Sequence, residues 1–157
     1  MALISPADQQ HLRDAFAAMT RRVRLLFFSQ TLDCDTCPEA RQILDELPPL
    51  SERISIEEVN LILDRDKAAA YGVDRAPAIA ITYEDTPAEG TAVPTDAPAW
   101  KDSRIRFLGA PAGYEFISLV QAVLIAGGHP LRLSEESRGR IAALNQPITM
   151  QVFTTPT

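Results

Sequence analysis

Val23-Arg-Leu-Leu-Phe-Phe-Ser29, followed four residues later by Cys34-Asp-Thr-Cys37 and then by Ala40, Ile43, Leu44 and Leu47 at helical spacing, is the stretch from which the fold is read. The first seven residues are a short, nearly continuous apolar run, the pattern of a central strand covered on both faces. The last four place an apolar stripe on one side of a helix, which Pro48 and Pro49 then stop. Between them stand the only two cysteines of the chain. A thiolate is the nucleophile of thiol-disulfide exchange, and a helix N-terminus favours it through unpaired backbone N–H groups and the positive end of the macrodipole. With two residues between them, the sulfurs can close a disulfide across one helical turn. Cys34 is therefore expected to lie exposed at the helix start, with Cys37 less accessible and able to resolve a mixed disulfide.

Working outward, Ser5 as a cap, Pro6 at the first helical position and Asp8 in the first turn open a packing helix that carries Leu12, Phe16 and Met19 on one face. After the motif, Ile54 and Ile56 lead through Val59 and Leu61 into a second strand. Asp64 to Tyr71 predicts a short helix closed by Gly72. Val73-Asp-Arg-Ala-Pro77 then precedes a β-branched run, Ala78 to Tyr83. Glu84 to Ser103, with Pro87, Gly90, Pro94 and Pro98, is expected to be an extended loop containing Trp100, which would anchor it. Arg104 to Leu108 predicts a fourth strand, and Gly113 to Ala126 an apolar helix ended by Gly127 and Gly128. The order is α-β-α-β-α-β-β-α, an α/β fold with a central mixed four-stranded sheet flanked by helices.

Composition narrows the function classes. A chain of 157 residues, 46% hydrophobic, can bury about 68 to 70% of its unfolded surface, enough for one core. The net charge of −6 argues against nucleic-acid or anionic-membrane partners, which call for a basic face. No apolar run reaches the length of a membrane span, and Asp8, Arg13 and Asp14 interrupt the place of a signal peptide, so a cytoplasmic location is expected. A lone Cys-x-x-Cys in a reducing compartment is more often catalytic or metal-binding than structural. Half of a zinc site completed across a dimer, or an inert pair, are the competing readings of the same two residues. His11 and His129 have no neighbours at ligand spacing and are expected on the surface. The pairs Arg21-Arg22 and Glu57-Glu58 are read as solvated faces.

Strand, Cys34-Asp-Thr-Cys37, helix, strand, helix, Tyr71-Gly-Val-Asp-Arg-Ala-Pro77, two strands and a helix resemble the thioredoxin fold, with Pro77 standing 40 residues after Cys37, near that family's cis-proline. Arg104-Ile-Arg-Phe-Leu-Gly-Ala-Pro-Ala-Gly-Tyr-Glu-Phe116 is similar to the first unit of the two-unit, glutaredoxin-like protein disulfide oxidoreductases. With Gly127-Gly-His-Pro130 it also resembles the N-terminal domain of the flavoprotein component of alkyl hydroperoxide reductase. In the flavoprotein domain the first unit typically lacks the cysteine pair, whereas this chain carries it there, as the oxidoreductases do. The resemblance implies protein disulfide or dithiol substrates, Cys34 and Cys37 as catalytic residues, and no cofactor beyond the redox-active pair. It further implies that Pro77, if cis, leaves the backbone of Ala76 to bind an extended substrate segment. A thioredoxin-reductase-like electron donor or a peroxidase would be the redox partner. Asp33 and Asp35 place like charge beside Cys34 and are expected to disfavour its thiolate.

The C-terminal Ile148-Thr-Met-Gln-Val-Phe-Thr-Thr-Pro-Thr157 echoes the segment from Val23 that leads to Cys34. Residues 1–133 are accordingly assigned to a thioredoxin-like domain. Residues 134–157, opened by Ser134 with Glu135 and Glu136, are assigned to a linker helix and the first strand of a second such unit, which both resembled families would place next. An unpaired strand there would be a sticky edge able to pair with a second copy of the chain.

Overall fold

The computed structural model describes residues 4–85 and 99–154. Its centre is a four-stranded mixed sheet built from β1 (Val23–Ser29), β2 (Ile54–Asn60), β3 (Ala78–Glu84) and β4 (Trp100–Leu108), ordered β2-β1-β3-β4. β1 pairs parallel with β2 and antiparallel with β3, and β3 pairs antiparallel with β4. The continuous apolar run of β1 has the expected cause, because alternate residues enter two different clusters. Val23, Leu25 and Phe27 join the larger cluster with Phe16, Leu44, Leu119 and Val123, while Leu26 and Phe28 join Val59, Ala68 and Val73 on the other face. The larger cluster is supplied by α1 (Pro6–Ala17), α2 (Cys37–Asp45) and α4 (Tyr114–Ala126), and the smaller by α3 (Arg65–Ala70).

Helix boundaries follow local chemistry. The Ser5 hydroxyl accepts the Asp8 N–H at 3.2 Å, as a cap ahead of Pro6 should. After α2, Pro48–Leu50 form a single 3-10 turn that brings Leu50 into the core. At the far end of α4, Gly127 offers its carbonyl to the N–H groups of Thr20 and Arg21, tying α4 to the entrance of β1. Gly128 follows at φ +99, where a Cβ would collide with Thr20 Oγ1, so this corner requires glycine twice over.

Three expectations are corrected here. The loop expected over Glu84 to Ser103 is shorter at both ends: β3 runs through Glu84 and β4 starts at Trp100, while residues 86–98 lie outside the described residues. Trp100 is therefore a strand residue, and the Arg24 guanidinium stacks over its ring, 4.4 Å from the centroid. Glu57 and Glu58 are not free solvated charges: Glu57 pairs with Arg24 at 2.9 Å and with Lys67, and Glu58 belongs to the site described below. Arg21 likewise lies over the Tyr83 ring. Finally, the C-terminal segment holds α5 (Glu135–Ala142), capped by Ser134, but Ile148 to Phe153 form no strand. A strand needs a neighbour to satisfy its backbone, and among the described residues none is offered. Its apolar side chains stay open, with Met150 84% and Phe153 89% exposed.

β4 carries a local irregularity that adds a pH-sensitive element. The register shifts between Ala80 and Thr82, and at the shift Ser103 Oγ donates to the Ile81 carbonyl while Arg104 takes φ +63. Burial alone would raise the Asp102 carboxyl, but Arg106 at 2.6 Å and the Arg104 N–H outweigh it and hold the group below the usual carboxylate range. A carboxylate depressed in the folded state contributes stability that is present above its unfolded value and lost as pH falls through the folded one. Acid unfolding of the wild type should therefore gain a component below about pH 4. That component should be missing in Asp102→Asn, which the urea midpoint measured from pH 6 to pH 2 would reveal.

Candidate functional site: the cysteine pair and its cavity

Cys34 and Cys37 are joined by a disulfide, with Cα atoms 5.4 Å apart. Cys34 is half-buried, and Cys37 is 8% exposed and belongs to the larger core cluster. The difference in access has the expected direction, although its origin is more local than the sequence suggests. Cys34 does not occupy the first turn of α2: it precedes the helix in a turn, where its carbonyl accepts the Cys37 N–H at 3.2 Å. Pro38 stands at the start of α2, where a missing N–H costs no hydrogen bond, and the regular pattern begins with Ala40 N–H to the Thr36 carbonyl. Asp33 sits just before at φ +58, in the left-handed region, with its carbonyl accepting from Gln30 Nε2. Asp33 and Asp35 are both exposed, so any influence they exert on Cys34 is screened by water.

A cavity of about 340 Å³ opens beside the pair, bounded by Phe27, Ser29, Gln30 and Thr31 from β1 and the loop after it, and by Cys34, Cys37, Pro38 and Arg41 from the turn and α2. Glu58 of β2 completes the wall. The pairing of β1 with β2 explains how Glu58 arrives there, since it stands directly opposite Phe27. One Glu58 oxygen accepts from Ser29 Oγ at 2.6 Å and the other from Arg41 Nη1 at 2.6 Å. Arg41 Nε meanwhile binds Asp45, one turn further along α2, at 2.9 Å. The hydrogen bond from Asp45, reinforced by the charges of Asp45 and Glu58, raises the Arg41 guanidinium above its ordinary value, so it stays charged throughout the working range.

Ala76 and Pro77 do not line this cavity. The Ala76–Pro77 peptide is cis, Pro77 is buried, and its carbonyl accepts the Gly109 N–H at 2.8 Å. Ala76 and Cys34 are both half-buried and pack against the same core cluster. Among the described residues, no hydrogen bond is made by the Ala76 backbone, which leaves its N–H and carbonyl open. Sequence reasoning does not single out Ser29, Arg41 or Glu58. A signal exists for Arg41, which stands four residues after Cys37 and so on the same helical face. None exists for Glu58, whose position depends on strand register. Among the described residues, no group of three His, Cys, Asp or Glu side chains is arranged to hold a metal ion. No helix among them is long and apolar enough to cross a membrane.

This fold is thioredoxin-like, and comparison with known proteins agrees. No family model matches the chain. It is 28% identical over 88 residues to a probable thioredoxin of Methanothermobacter thermautotrophicus, spanning 55% of this chain and 80% of that protein. It is 35% identical over 98 residues to the alkyl hydroperoxide reductase AhpF of Xanthomonas campestris pv. phaseoli, spanning 62% of this chain but 14% of the reductase. Among solved structures it superposes on the NTD_N/C domain of AhpF from Enterococcus faecalis with a TM-score of 0.73 and 26% identity, covering 91% of this chain and 62% of that one. A protein disulfide oxidoreductase from Aeropyrum pernix, at 19% identity and a TM-score of 0.67, shares the fold over 89% of this chain and 55% of its own. Together with the close cysteine pair, these likenesses support a thioredoxin-like oxidoreductase.

Proposed function

We propose that the chain is a thiol-disulfide oxidoreductase that exchanges disulfides with protein substrates through Cys34 and Cys37, using no cofactor beyond that pair. The observation that carries this reading is the disulfide itself, with one half-exposed and one buried cysteine at the wall of an open cavity. In the reducing direction the Cys34 thiolate attacks one sulfur of a substrate disulfide and expels the other as a thiolate, which takes a proton from water. The Cys37 thiolate then attacks Cys34 Sγ, releases the second substrate sulfur and leaves the intramolecular disulfide, so two electrons pass from the pair to the substrate. The open backbone of Ala76, beside the buried cis-Pro77, would hold an extended substrate segment by main-chain hydrogen bonds, giving broad recognition.

The test is catalysis of protein disulfide reduction by a small dithiol. Substoichiometric wild type should accelerate cleavage of an interchain disulfide, and Cys34→Ser should leave the rate of the dithiol alone. Equal acceleration by Cys34→Ser would overturn the assignment. Asp35→Asn is expected to speed alkylation of reduced Cys34 by less than about twofold, because Asp35 is exposed and screened; a slower rate would contradict a like-charge role for it.

A second reading is favoured by the likeness to alkyl hydroperoxide reductase AhpF: an electron-relay module that passes reducing equivalents between a flavin reductase and a thiol peroxidase. It uses the same two cysteines and differs in the partner. Exchange with a reduced thioredoxin-reductase-like flavoprotein faster than with a small dithiol would select it. The exposed apolar side chains of Ile148, Met150, Val152 and Phe153 additionally suit pairing with a second copy of the chain. A monomer by light scattering would remove that element without touching the thiol chemistry.

A further inference from the structure

The cavity beside the cysteine pair is walled by only two charged side chains among the described residues, Arg41 and Glu58, and they are bonded to each other. Both are about half-exposed, at 42% and 49% of their side-chain surface, so neither charge is locked in a dry interior. We propose that this ion pair is the positioning couple of the dithiol: Arg41 supplies the positive potential that favours the cysteine thiolate, and Glu58 limits it. The inference rests on the thiol-disulfide reading above and names what regulates that same site.

The sequence neighbours of Cys34, Asp33 and Asp35, are negative and α2 starts only at Cys37, so the turn that carries Cys34 has weak support for a thiolate from its own backbone. When a thiol there loses its proton to water, the nearest opposite charge along the cavity wall is Arg41. The guanidinium is held from both sides, by Asp45 along the helix and by Glu58 across from the sheet, and Ser29 fixes the second oxygen of Glu58. Its place is thus set by three contacts rather than by a free side-chain rotor. Removing Arg41 leaves Glu58 uncompensated at the cavity wall and adds like charge; neutralising Glu58 leaves Arg41 with Asp45 alone and adds net positive potential. The two changes must act in opposite directions on the thiolate.

The experiment reads the alkylation rate of Cys34 at pH 7 in the fully reduced chain. A partly exposed charge close to a thiol shifts its thiolate fraction severalfold, and the lower nucleophilicity of a more acidic thiolate cancels about half of that logarithmic change. Arg41→Met is therefore expected to slow alkylation about two- to fivefold and Glu58→Gln to speed it by a similar factor. The double variant should return to within about twofold of wild type, and the spread should shrink in high salt. Arg41→Lys keeps the charge and should also stay within about twofold. Singles that shift in the same direction, or do not shift at all, would overturn the proposal. A rate lost equally in Arg41→Lys and Arg41→Met would overturn it too, by showing packing rather than charge at work. Because the reduced chain is read directly, opposite shifts with no acceleration of protein disulfide cleavage would sink the oxidoreductase reading and leave this one standing.

Discussion

Cys37→Ser is expected to convert transient exchange into a trap. With Cys37 present, the mixed disulfide at Cys34 is attacked from within the same turn, at Cα–Cα 5.4 Å, and resolves. With serine there, no second thiol exists in the chain, since the two cysteines are its only ones. The half-exposed Cys34 still reacts, so a stable mixed disulfide with a protein substrate should accumulate and disappear on adding a small thiol. Turnover in protein disulfide reduction should fall by at least about a hundredfold, because resolution becomes intermolecular and forfeits the high effective concentration of a neighbouring thiol. Cys34→Ser should give neither turnover nor trap, as its remaining thiol is 8% exposed. Non-reducing gels with intact-mass analysis distinguish the three chains. A trap that forms equally well in Cys34→Ser would reverse the assigned order of attack.

The second large effect lies in the sheet. Phe27 is 1% exposed on the central strand, joins the larger cluster and also forms one wall of the cysteine cavity. Phe27→Ala should cost about 3 to 5 kcal/mol, the lost transfer of the ring plus the cavity left behind. Domains of this size are typically stable by about 5 to 15 kcal/mol, so the variant should sit near the edge of folding at physiological temperature. Phe153→Ala removes the same ring from a position that is 89% exposed and should change stability by less than about 0.5 kcal/mol. Urea denaturation of both variants tests the comparison. Equal destabilisation would mean that Phe153 packs against something in solution, which points to pairing between copies.

How much of this is legible in the sequence depends on whether the information is local. The β1 run, the caps at Ser5 and Ser134, the stop at Pro48-Pro49 and the Cys-x-x-Cys spacing are all properties of neighbouring residues, and each element lies where those residues place it. Trp100 reads as a loop residue and is a strand residue because pairing with Glu84 overrides a proline-rich neighbourhood, and such pairing is not written in the local pattern. Glu58 reads as a solvated charge because only the register of β2 against β1 brings it opposite Phe27 and within reach of Ser29 and Arg41. Ile148 to Phe153 show the converse limit. Their alternation and their echo of β1 suit a strand, yet a strand is a property of two segments, and among the described residues only one is supplied.

The central claim is that Cys34 and Cys37 form a reversible redox pair. A glutathione titration of the full chain, quenched by alkylation and read by mass spectrometry, tests it most directly. The expected result is one transition in which both cysteines change together, two electrons at a time. Its midpoint should lie between about −120 and −270 mV, the span of thiol-disulfide exchangers. Both thiols remaining alkylatable at every glutathione ratio, or a product glutathionylated at Cys34 without closure to Cys37, would contradict it.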